Sequence, residues 1–326
     1  MNMIYPLKFQ PVCKDKVWGG HKLKQKYNKP VGDLPNCGES WEISGIEGSM
    51  SVVANGALEE NDLGDLIEIL MGELLGDKVF EKYGYQFPML VKMIDTLDVL
   101  SVQVHPNDEM ALKAHNCPGK EEMWYILDAG PEAEMFIGFN QNLTKELFLR
   151  HLNGGTLKTV LNVIKPQKGD VYHIKPGCIH AIGKDVTLIE IQQSSDITYR
   201  LYDWDRPGAD GRPRELHLEK GLEALDYKEL KEIKVPYQIK PGLRVPIVEA
   251  GAFSVNLLEL DTQSEFDYNH LDSFVILSLA EGSIQIEYSG NKLNVDKGES
   301  VLIPSECGAF IVMPQKGTRI LESYCK

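Results

Sequence analysis

The sequence predicts a mainly β protein made of two related β-rich parts, and three observations support this prediction. Short apolar segments recur along the chain with glycine turns between them, which is typical of a sandwich or a barrel. Residues 169–180 resemble 298–309 when their glycines are aligned, and residues 122–130 resemble 274–282. A stretch rich in charge and proline, 205–245, separates the two parts.

The length of the chain and this internal repeat predict two domains. At 326 residues the chain exceeds the usual size of a single core. We predict a first domain over 1–235 and a second, strand-rich domain over 236–326. In the first domain we expect strands at 88–94, 100–105, 122–127, 133–138, 170–174, 187–192 and 197–202.

Three segments of the first domain have helical patterns. Apolar residues recur at helical spacing over 57–83, where we expect one or two helices broken near Gly72 or Gly76. Acidic residues follow Pro106 and indicate the first turn of a helix over 106–117. Two short helices are expected within 143–162.

Composition and charge exclude several classes of function. The net charge is −14 and no basic stripe is present, which argues against nucleic-acid binding. No apolar run reaches 18 residues and the N-terminus has no signal-peptide core, so neither a membrane partner nor secretion is expected. Six scattered cysteines without a Cys-x-x-Cys pair indicate reduced thiols and a cytoplasmic location.

A strand-like pentad at 101–105 carries the first chemical signal. Side chains alternate between the two faces of a strand, so Ser101, Gln103 and His105 share one face. Val102 and Val104 point to the other face, toward a core. A polar row of this kind can also be a solvated strand face.

Glu122 and His180 extend the polar row of Gln103 and His105 to a set of nitrogen and oxygen donors. Two histidines and a carboxylate suit Zn²⁺, Mn²⁺, Fe²⁺ or Co²⁺. The four residues are separated by 2, 17 and 58 positions, so Glu122 and His180 come from strands separate from the one with Gln103 and His105. The alternative is that they are unrelated polar residues, and their joint contexts make it the weaker interpretation.

Several motifs, in order along residues 17–206, resemble the type I mannose-6-phosphate isomerases in their short bacterial form. A local departure occurs before the last histidine, where Lys175-Pro176-Gly177 replaces the family's usual Pro-Ala-Gly. The matching motifs are Val17-Trp18-Gly19-Gly20, Gly38-Glu39-Ser40-Trp41-Glu42, Gln103-Val-His105-Pro-Asn-Asp, Gly119-Lys120-Glu-Glu122-x-Trp124, Gly177-x-x-His180-Ala-Ile-Gly183 and Thr198-Tyr199-Arg200.

The resemblance implies two cupin-type jelly-roll barrels, with a small helical insertion in the N-terminal part. The C-terminal block is then a degenerate cupin, because the repeat alignment places Phe274 opposite Glu122 and Ala309 opposite His180. Only the first cupin would carry out catalysis.

The resemblance also implies an activity, the interconversion of D-mannose 6-phosphate and D-fructose 6-phosphate through a cis-enediol. It matches Lys120 and Arg200 to active-site positions, as catalytic and substrate-binding residues. Ser101 becomes a candidate contact to the phosphosugar substrate, or else a packing hydroxyl. The implied ligands of one Zn²⁺ per chain are Gln103, His105, Glu122 and His180.

Other interpretations stay open at this point. Zinc could act as a Lewis acid or only orient the sugar, and Lys120 could carry a proton or only contact the substrate. His173 could face the site or the core, and Cys178 is expected to fill the core. A metal-dependent cupin oxygenase and a non-catalytic sugar-binding cupin are rival functions, and the protein could be a monomer or a dimer.

Overall fold

The computed structural model describes residues 4–208 and 211–326, and β-strands dominate it. Each strand that the sequence predicted over 88–202 is present, within a few residues of its predicted limits. In chain order the strands are β1 (Leu7–Lys8), β2 (Val12–Gly20), β3 (Cys37–Ser44), β4 (Met89–Asp95), β5 (Val102–Val104), β6 (Glu122–Ala129), β7 (Met135–Phe139), β8 (Leu161–Ile164), β9 (Val171–Ile174), β10 (His180–Ile182), β11 (Val186–Gln193), β12 (Tyr199–Tyr202), β13 (Val245–Glu249), β14 (Phe253–Leu260), β15 (Ser264–Phe266), β16 (Val275–Glu281), β17 (Ser283–Tyr288), β18 (Asn291–Asp296), β19 (Ser300–Ile303), β20 (Phe310–Pro314) and β21 (Thr318–Cys325).

Helices occupy the three segments where the sequence predicted them, with three in 57–83 instead of one or two and a 3₁₀ turn as the second in 143–162. The helices Lys22–Tyr27 and Leu218–Ala224 were not predicted. The side chain of Asn107 accepts a hydrogen bond from the Met110 amide, so α5 begins there and not at Pro106. Met71, with φ 45°, ends α2 before the predicted break at Gly72. The helices are α1 (Lys22–Tyr27), α2 (Leu63–Leu70), α3 (Gly72–Leu75), α4 (Asp77–Tyr83), α5 (Asp108–His115), α6 (Lys145–Asn153) and α7 (Leu218–Ala224), with 3₁₀ turns at Gly56–Leu58 and Leu157–Val160.

The chain forms two compact units. One contains residues 13–40 and 93–235, and the other contains the described residues up to 12 together with 41–92 and 236–326. One limit of this division coincides with the domain boundary predicted at 235/236, but α2–α4 fall in the unit that holds the C-terminal residues. The two-domain division itself stays a prediction.

Two sets of strands repeat one order of pairing. One six-stranded sheet pairs as β9-β6-β11-β4-β3-β2 and the five-stranded sheet as β12-β5-β10-β7-β8. The other two sheets pair as β1-β19-β16-β21-β14-β13 and β15-β20-β17-β18, so β14–β21 repeat the order of β4–β11. The internal repeat of the sequence is therefore also a repeat of topology. Over the described residues every sheet ends in two edge strands, so the predicted barrels are wrong in that no sheet closes on itself.

The strand register shifts the repeat alignment by one residue. Glu122 pairs with Ile174, and the residue that pairs with the equivalent Ile303 is Val275, not Phe274. Because a shift of one residue turns a side chain to the other face, Phe274 points away from the interior and packs on Phe87 with ring centroids 4.8 Å apart.

A similar shift applies to the second predicted match. Ala309 is exposed and lies outside the strand, whereas Phe310 is the core-facing residue at the start of β20. His180 has this place at the start of β10. The second repeat therefore still lacks the ligand residues, but the residues in the places of Glu122 and His180 are Val275 and Phe310.

Both sheets of each unit contribute to a shared apolar core. In the unit with residues 93–235, the cluster around Trp124 and Tyr172 joins one sheet to Ile137 and Ile182 of the other. Val102 and Val104, as predicted, point away from this interior into a second cluster, packed under α6 and α7. β5 therefore presents Gln103 to the interior. Among the described helices, none is long and apolar enough to cross a membrane.

A substitution of Gly183, directly after β10, tests how closely the backbone is packed at this position. A Cβ atom at position 183 would lie 1.7 Å from the carbonyl oxygen of Glu134, a backbone atom that cannot rotate away. We expect Gly183→Ala to lower the free energy of unfolding by about 1–3 kcal/mol, measured by urea unfolding. At Gly64 in α2 a Cβ would approach side-chain atoms only, none closer than 3.2 Å, so Gly64→Ala should be neutral or stabilising. Equal losses in both variants would contradict this account.

Candidate metal centre

Three buried side chains converge at one end of the strands that hold them. His105 lies directly after β5, Glu122 begins β6 and His180 begins β10. One potential ligand atom from each residue lies within 4.8 Å of the others. Nε2 of His105 is 3.5 Å and Nε2 of His180 is 3.6 Å from the Glu122 carboxylate. The structure therefore brings together three of the four ligands that the sequence predicted.

Strand register places Gln103 and Arg200 beside this group. Gln103 pairs with His180 on one side and with Arg200 on the other. Directly paired residues of antiparallel strands share a face. Hence Arg200, Gln103 and His180 form a row across β12, β5 and β10.

Backbone carbonyls fix the tautomers of both histidines. Nδ1 of His105 lies 3.0 Å from the carbonyl oxygen of Ile197, and Nδ1 of His180 lies 2.9 Å from that of Cys178. A carbonyl oxygen can only accept, so each Nδ1 must carry the proton. Each Nε2 then presents a lone pair toward Glu122. Orientation of a ligating imidazole through its other nitrogen is the usual arrangement in metal sites.

The unpaired atoms of this cluster fit a metal ion. Nε2 of His105 and Oε1 of Glu122 are buried without a hydrogen-bond partner, and Oε2 of Glu122 has the Lys120 ammonium 3.1 Å away. A buried acceptor left unpaired costs about 1–3 kcal/mol, so the two unpaired acceptors favour a cation or a donor between them. Two imidazole nitrogens and a carboxylate are ligands suited to a divalent transition metal.

Charge and burial keep the group in its ligating form. Burial lowers the pKa of His105 to about 3 and also lowers that of His180, so both rings are neutral. Burial alone would raise the pKa of Glu122, but the nearby charge of Lys120 holds it well below its ordinary value. Neutral imidazoles and an ionised carboxylate are the states that bind metal.

Lys120 reaches the site from the loop that precedes β6. β6 begins at Glu122, yet Nζ of Lys120 lies 3.1 Å from Oε2 of that residue and the lysine is buried. Burial acts to lower the pKa of Lys120, but the charges of Glu122 and Glu190 raise it. A divalent cation at the site would act in the opposite direction.

Gln103 and Ser101 lie as the polar row of the pentad predicted. Nε2 of Gln103 lies 3.2 Å from Nε2 of His180, so its amide group reaches the ligand cluster. The Ser101 hydroxyl, also buried, donates to Oε1 of Gln103 at 3.4 Å. The regular strand is shorter than expected, because β5 covers only residues 102–104.

Arg200 belongs to a group of arginines around Asp203. Asp203 accepts a hydrogen bond from Arg206 at 3.0 Å and another from Nε of Arg214 at 2.7 Å. Nη1 of Arg200 donates to the Glu215 carbonyl at 2.8 Å, while its Nε is buried without a partner. Burial and the charge of Arg214 lower the pKa of Arg200. Three guanidinium groups thus lie near one buried carboxylate, and Arg206 also pairs with the exposed Asp98.

Two further predictions from the sequence are now decided. His173 pairs with Met123, the neighbour of Glu122 on the opposite face, and its Nε2 lies 2.8 Å from Glu121. It therefore faces away from the site. Cys178 is partly buried and packs against the apolar core as predicted, and burial of its thiol raises the pKa to about 12.

Sequence reasoning missed Glu190. This buried carboxylate accepts a hydrogen bond from Nε1 of Trp124 at 3.0 Å, and the Trp124 ring meets the His180 ring edge-on at 5.4 Å. The available signal was the alternation of polar residues in the otherwise apolar run of β11, which places Glu190 on the same face as Gln192.

The fold and the site together define a mainly β protein with a buried histidine and carboxylate centre suited to a divalent metal. Comparisons with known proteins make this class more specific. The family model "Phosphomannose isomerase type I, catalytic domain" matches residues 6–148, and the model "Mannose-6-phosphate isomerase, cupin domain" matches 246–321.

Relatives match over almost the whole chain. The mannose-6-phosphate isomerase ManA of Bacillus subtilis is 36% identical over 94% of this chain and 95% of its own length. The mannose-6-phosphate isomerase of Streptococcus mutans is 30% identical over 93% of each. The crystal structure of the mannose 6-phosphate isomerase from Bacillus subtilis superposes with a TM-score of 0.88 at 31% identity, covering 98% of this chain and 99% of that one. The chain belongs to the type I phosphomannose isomerase family.

The ion pairs of Asp203 predict a pH-dependent contribution to stability. Burial would raise its pKa, but Arg214 and Arg206 lower it below its ordinary value. The contribution is therefore full above the unfolded-state pKa of about 3.9 and is lost as the pH falls through the lower pKa of the folded state. We expect Asp203→Asn to lower the free energy of unfolding by about 1–3 kcal/mol at pH 7, and by less at pH 3.

Asp98 provides the control for this measurement. Its side chain is 58% exposed and pairs with Arg206 at 3.0 Å, and an exposed ion pair contributes at most about 1 kcal/mol. Asp98→Asn should therefore change little at either pH. A loss for Asp203→Asn that stays constant from pH 7 to pH 3 would contradict the assignment.

Proposed function

We propose that this protein interconverts D-mannose 6-phosphate and D-fructose 6-phosphate through a cis-enediol at a centre that holds one Zn²⁺. Family membership supports the substrates. The observation that carries the metal part is the convergence of His105, Glu122 and His180, with buried atoms of His105 and Glu122 that lack a hydrogen-bond partner. Gln103 is the proposed fourth ligand, because its amide group lies beside His180 and the reversed amide orientation would present Oε1, the atom that a metal binds. When bound, zinc would polarise a sugar oxygen or orient the sugar.

The remaining chemistry is assigned to residues of the chain. The reaction moves a proton between C1 and C2 of the sugar and develops negative charge on an oxygen. Arg200 lies next to Gln103 in strand register and has an unpaired Nε, so we propose that it stabilises this charge or binds the phosphate. Lys120, a buried cation at the same centre, is the proposed proton carrier or substrate contact. Ser101 is proposed to orient Gln103 and to contact the sugar phosphate.

The domain assignment is part of the same proposal. Eight consecutive strands, β4–β11, have the pairing order that β14–β21 repeat, and the two sheets of each set contribute to a shared core. We therefore propose two jelly rolls. The one with the ligands is catalytic, and the apolar places of Val275 and Phe310 make the other a structural partner. Oligomeric state, monomer or dimer, is left to a measurement of mass in solution.

A coupled assay tests the proposed activity. Purified protein is assayed for fructose 6-phosphate formed from mannose 6-phosphate, then treated with a chelator and assayed again after zinc is restored. We expect activity to be lost on chelation and to return with zinc. No product after zinc is restored would remove the isomerase proposal. Oxygen uptake with Fe²⁺ in place of zinc would favour a cupin oxygenase instead.

The ligand assignment predicts that His180→Ala loses bound zinc and activity together, because the variant lacks one of the two imidazole donors. Bound zinc is measured by elemental analysis and activity by the coupled assay. His21→Ala is the matched control, since His21 is exposed and its side chain does not cap α1. Full zinc content in His180→Ala would exclude this residue as a ligand.

The proposed role of Arg200 predicts that its removal affects activity but not zinc content. Arg200→Ala should keep its zinc but lose activity by about 10²–10³-fold, the usual effect of removing a donor that stabilises developing charge. Arg150→Ala, which removes an exposed arginine of α6, should leave both unchanged. Normal turnover in Arg200→Ala would remove this residue from the mechanism.

A further inference from the structure

Gln192 is a buried polar residue for which the site described so far has no use. It lies in β11 and pairs directly with Glu122 of β6, so both side chains point to the same face. Gln192 is fully buried, and its Oε1 has no hydrogen-bond partner.

The orientation of the Gln192 amide is fixed by its neighbours. Nε2 donates to the carbonyl oxygens of Gln193 at 2.7 Å and of Ser195 at 2.6 Å. The reversed amide would place an oxygen against both carbonyls, which repel it, so this assignment is the only one that the contacts permit. Both N–H groups are thus used to hold the chain that follows β11.

The segment that Gln192 holds contacts His105, a proposed metal ligand, through Ile197, which lies two residues after Ser195. The Ser195 amide donates to the Gln193 carbonyl at 2.7 Å, and the Ile197 amide donates to the Ser195 hydroxyl at 3.4 Å. The Ile197 carbonyl then accepts the Nδ1 proton of His105 at 3.0 Å. A continuous series of hydrogen bonds therefore links the Gln192 amide to the imidazole of His105.

We propose that Gln192 is a positioning residue of the metal centre. By holding segment 193–197 through two donated hydrogen bonds, it keeps the Ile197 carbonyl where it fixes the ring orientation and the tautomer of His105. His180 has no such dependence, because its Nδ1 bonds to the carbonyl of Cys178, which lies two residues earlier in the chain, just before β10. The proposal rests on the proposed function only in taking His105 as a metal ligand.

The alternative is that Gln192 only stabilises β11. A substitution of the neighbouring residue Gln193 distinguishes this role from the positioning role. Gln193 is also buried and also makes two side-chain hydrogen bonds, but on the other face of the strand. Its Oε1 accepts from the Glu121 amide at 2.9 Å, and its Nε2 donates to Asp108 at 3.0 Å. Gln193→Met is therefore matched to Gln192→Met in residue type, burial and loss of hydrogen bonds.

The first readout needs no metal and no activity. The protein has 8 histidines, and selective ¹⁵N labelling makes their slowly exchanging Nδ1 protons observable by NMR in the metal-free protein. The signal that disappears in His180→Ala identifies His180. We expect Gln192→Met to lose or broaden the His105 signal while the His180 signal persists, and Gln193→Met to keep both. A variant with equal volume, Gln192→Glu, also lacks the donating N–H groups and should give the same result.

The second readout is zinc affinity, measured by competition with a chromophoric chelator. Gln192→Met should bind zinc about 10–100-fold more weakly, as is usual when a group that orients a ligand is removed, and Gln193→Met should bind as the wild type does. An unchanged His105 signal together with wild-type zinc affinity in Gln192→Met would overturn the proposal. Absence of zinc binding by the wild type would instead remove the proposed metal site, and the NMR comparison would still decide the role of Gln192.

Discussion

The site depends on the requirement that buried polar groups find partners. Two imidazoles in a nearly dry interior each donate one proton to a backbone carbonyl, Ile197 for His105 and Cys178 for His180. These bonds determine which nitrogen is free, and burial keeps both rings neutral. The carboxylate of Glu122 then faces two lone pairs and one ammonium group. Every proposed role in catalysis starts from this arrangement of donors.

The comparison of the two units shows which additional groups a buried polar site requires in this fold. The pairing order of β4–β11 is repeated in β14–β21, yet Val275 and Phe310 occupy the places of Glu122 and His180. The apolar set of strands buries these residues without any need for a partner. The polar set must supply carbonyls and an ammonium group to satisfy polar side chains in the same places. A single architecture thus supports either a plain core or a reactive centre.

Much of the fold and of the centre could be predicted from the sequence. Period-two alternation identified β5 and its polar row, and the donor types of His105, Glu122 and His180 indicated a metal. The limits of prediction are also clear in physical terms. A sequence alignment on glycines cannot detect a one-residue offset in pairing, so it named Phe274 and Ala309. Nor could it find the Ile197 carbonyl, because a backbone oxygen has no residue type, or show that Lys120 reaches Glu122 from a loop.

The shortness of β5 has a consequence for how the protein matures. Only three residues, 102–104, hold Gln103 between the strands that carry Arg200 and His180. If this segment paired one position out of place, Gln103 would turn outward and a valine would enter the interior. Such a molecule could keep most of its strands and still lack a complete ligand set. Metal occupancy would then measure the fraction of chains that have folded in the correct register, which spectroscopic strand content alone does not reveal.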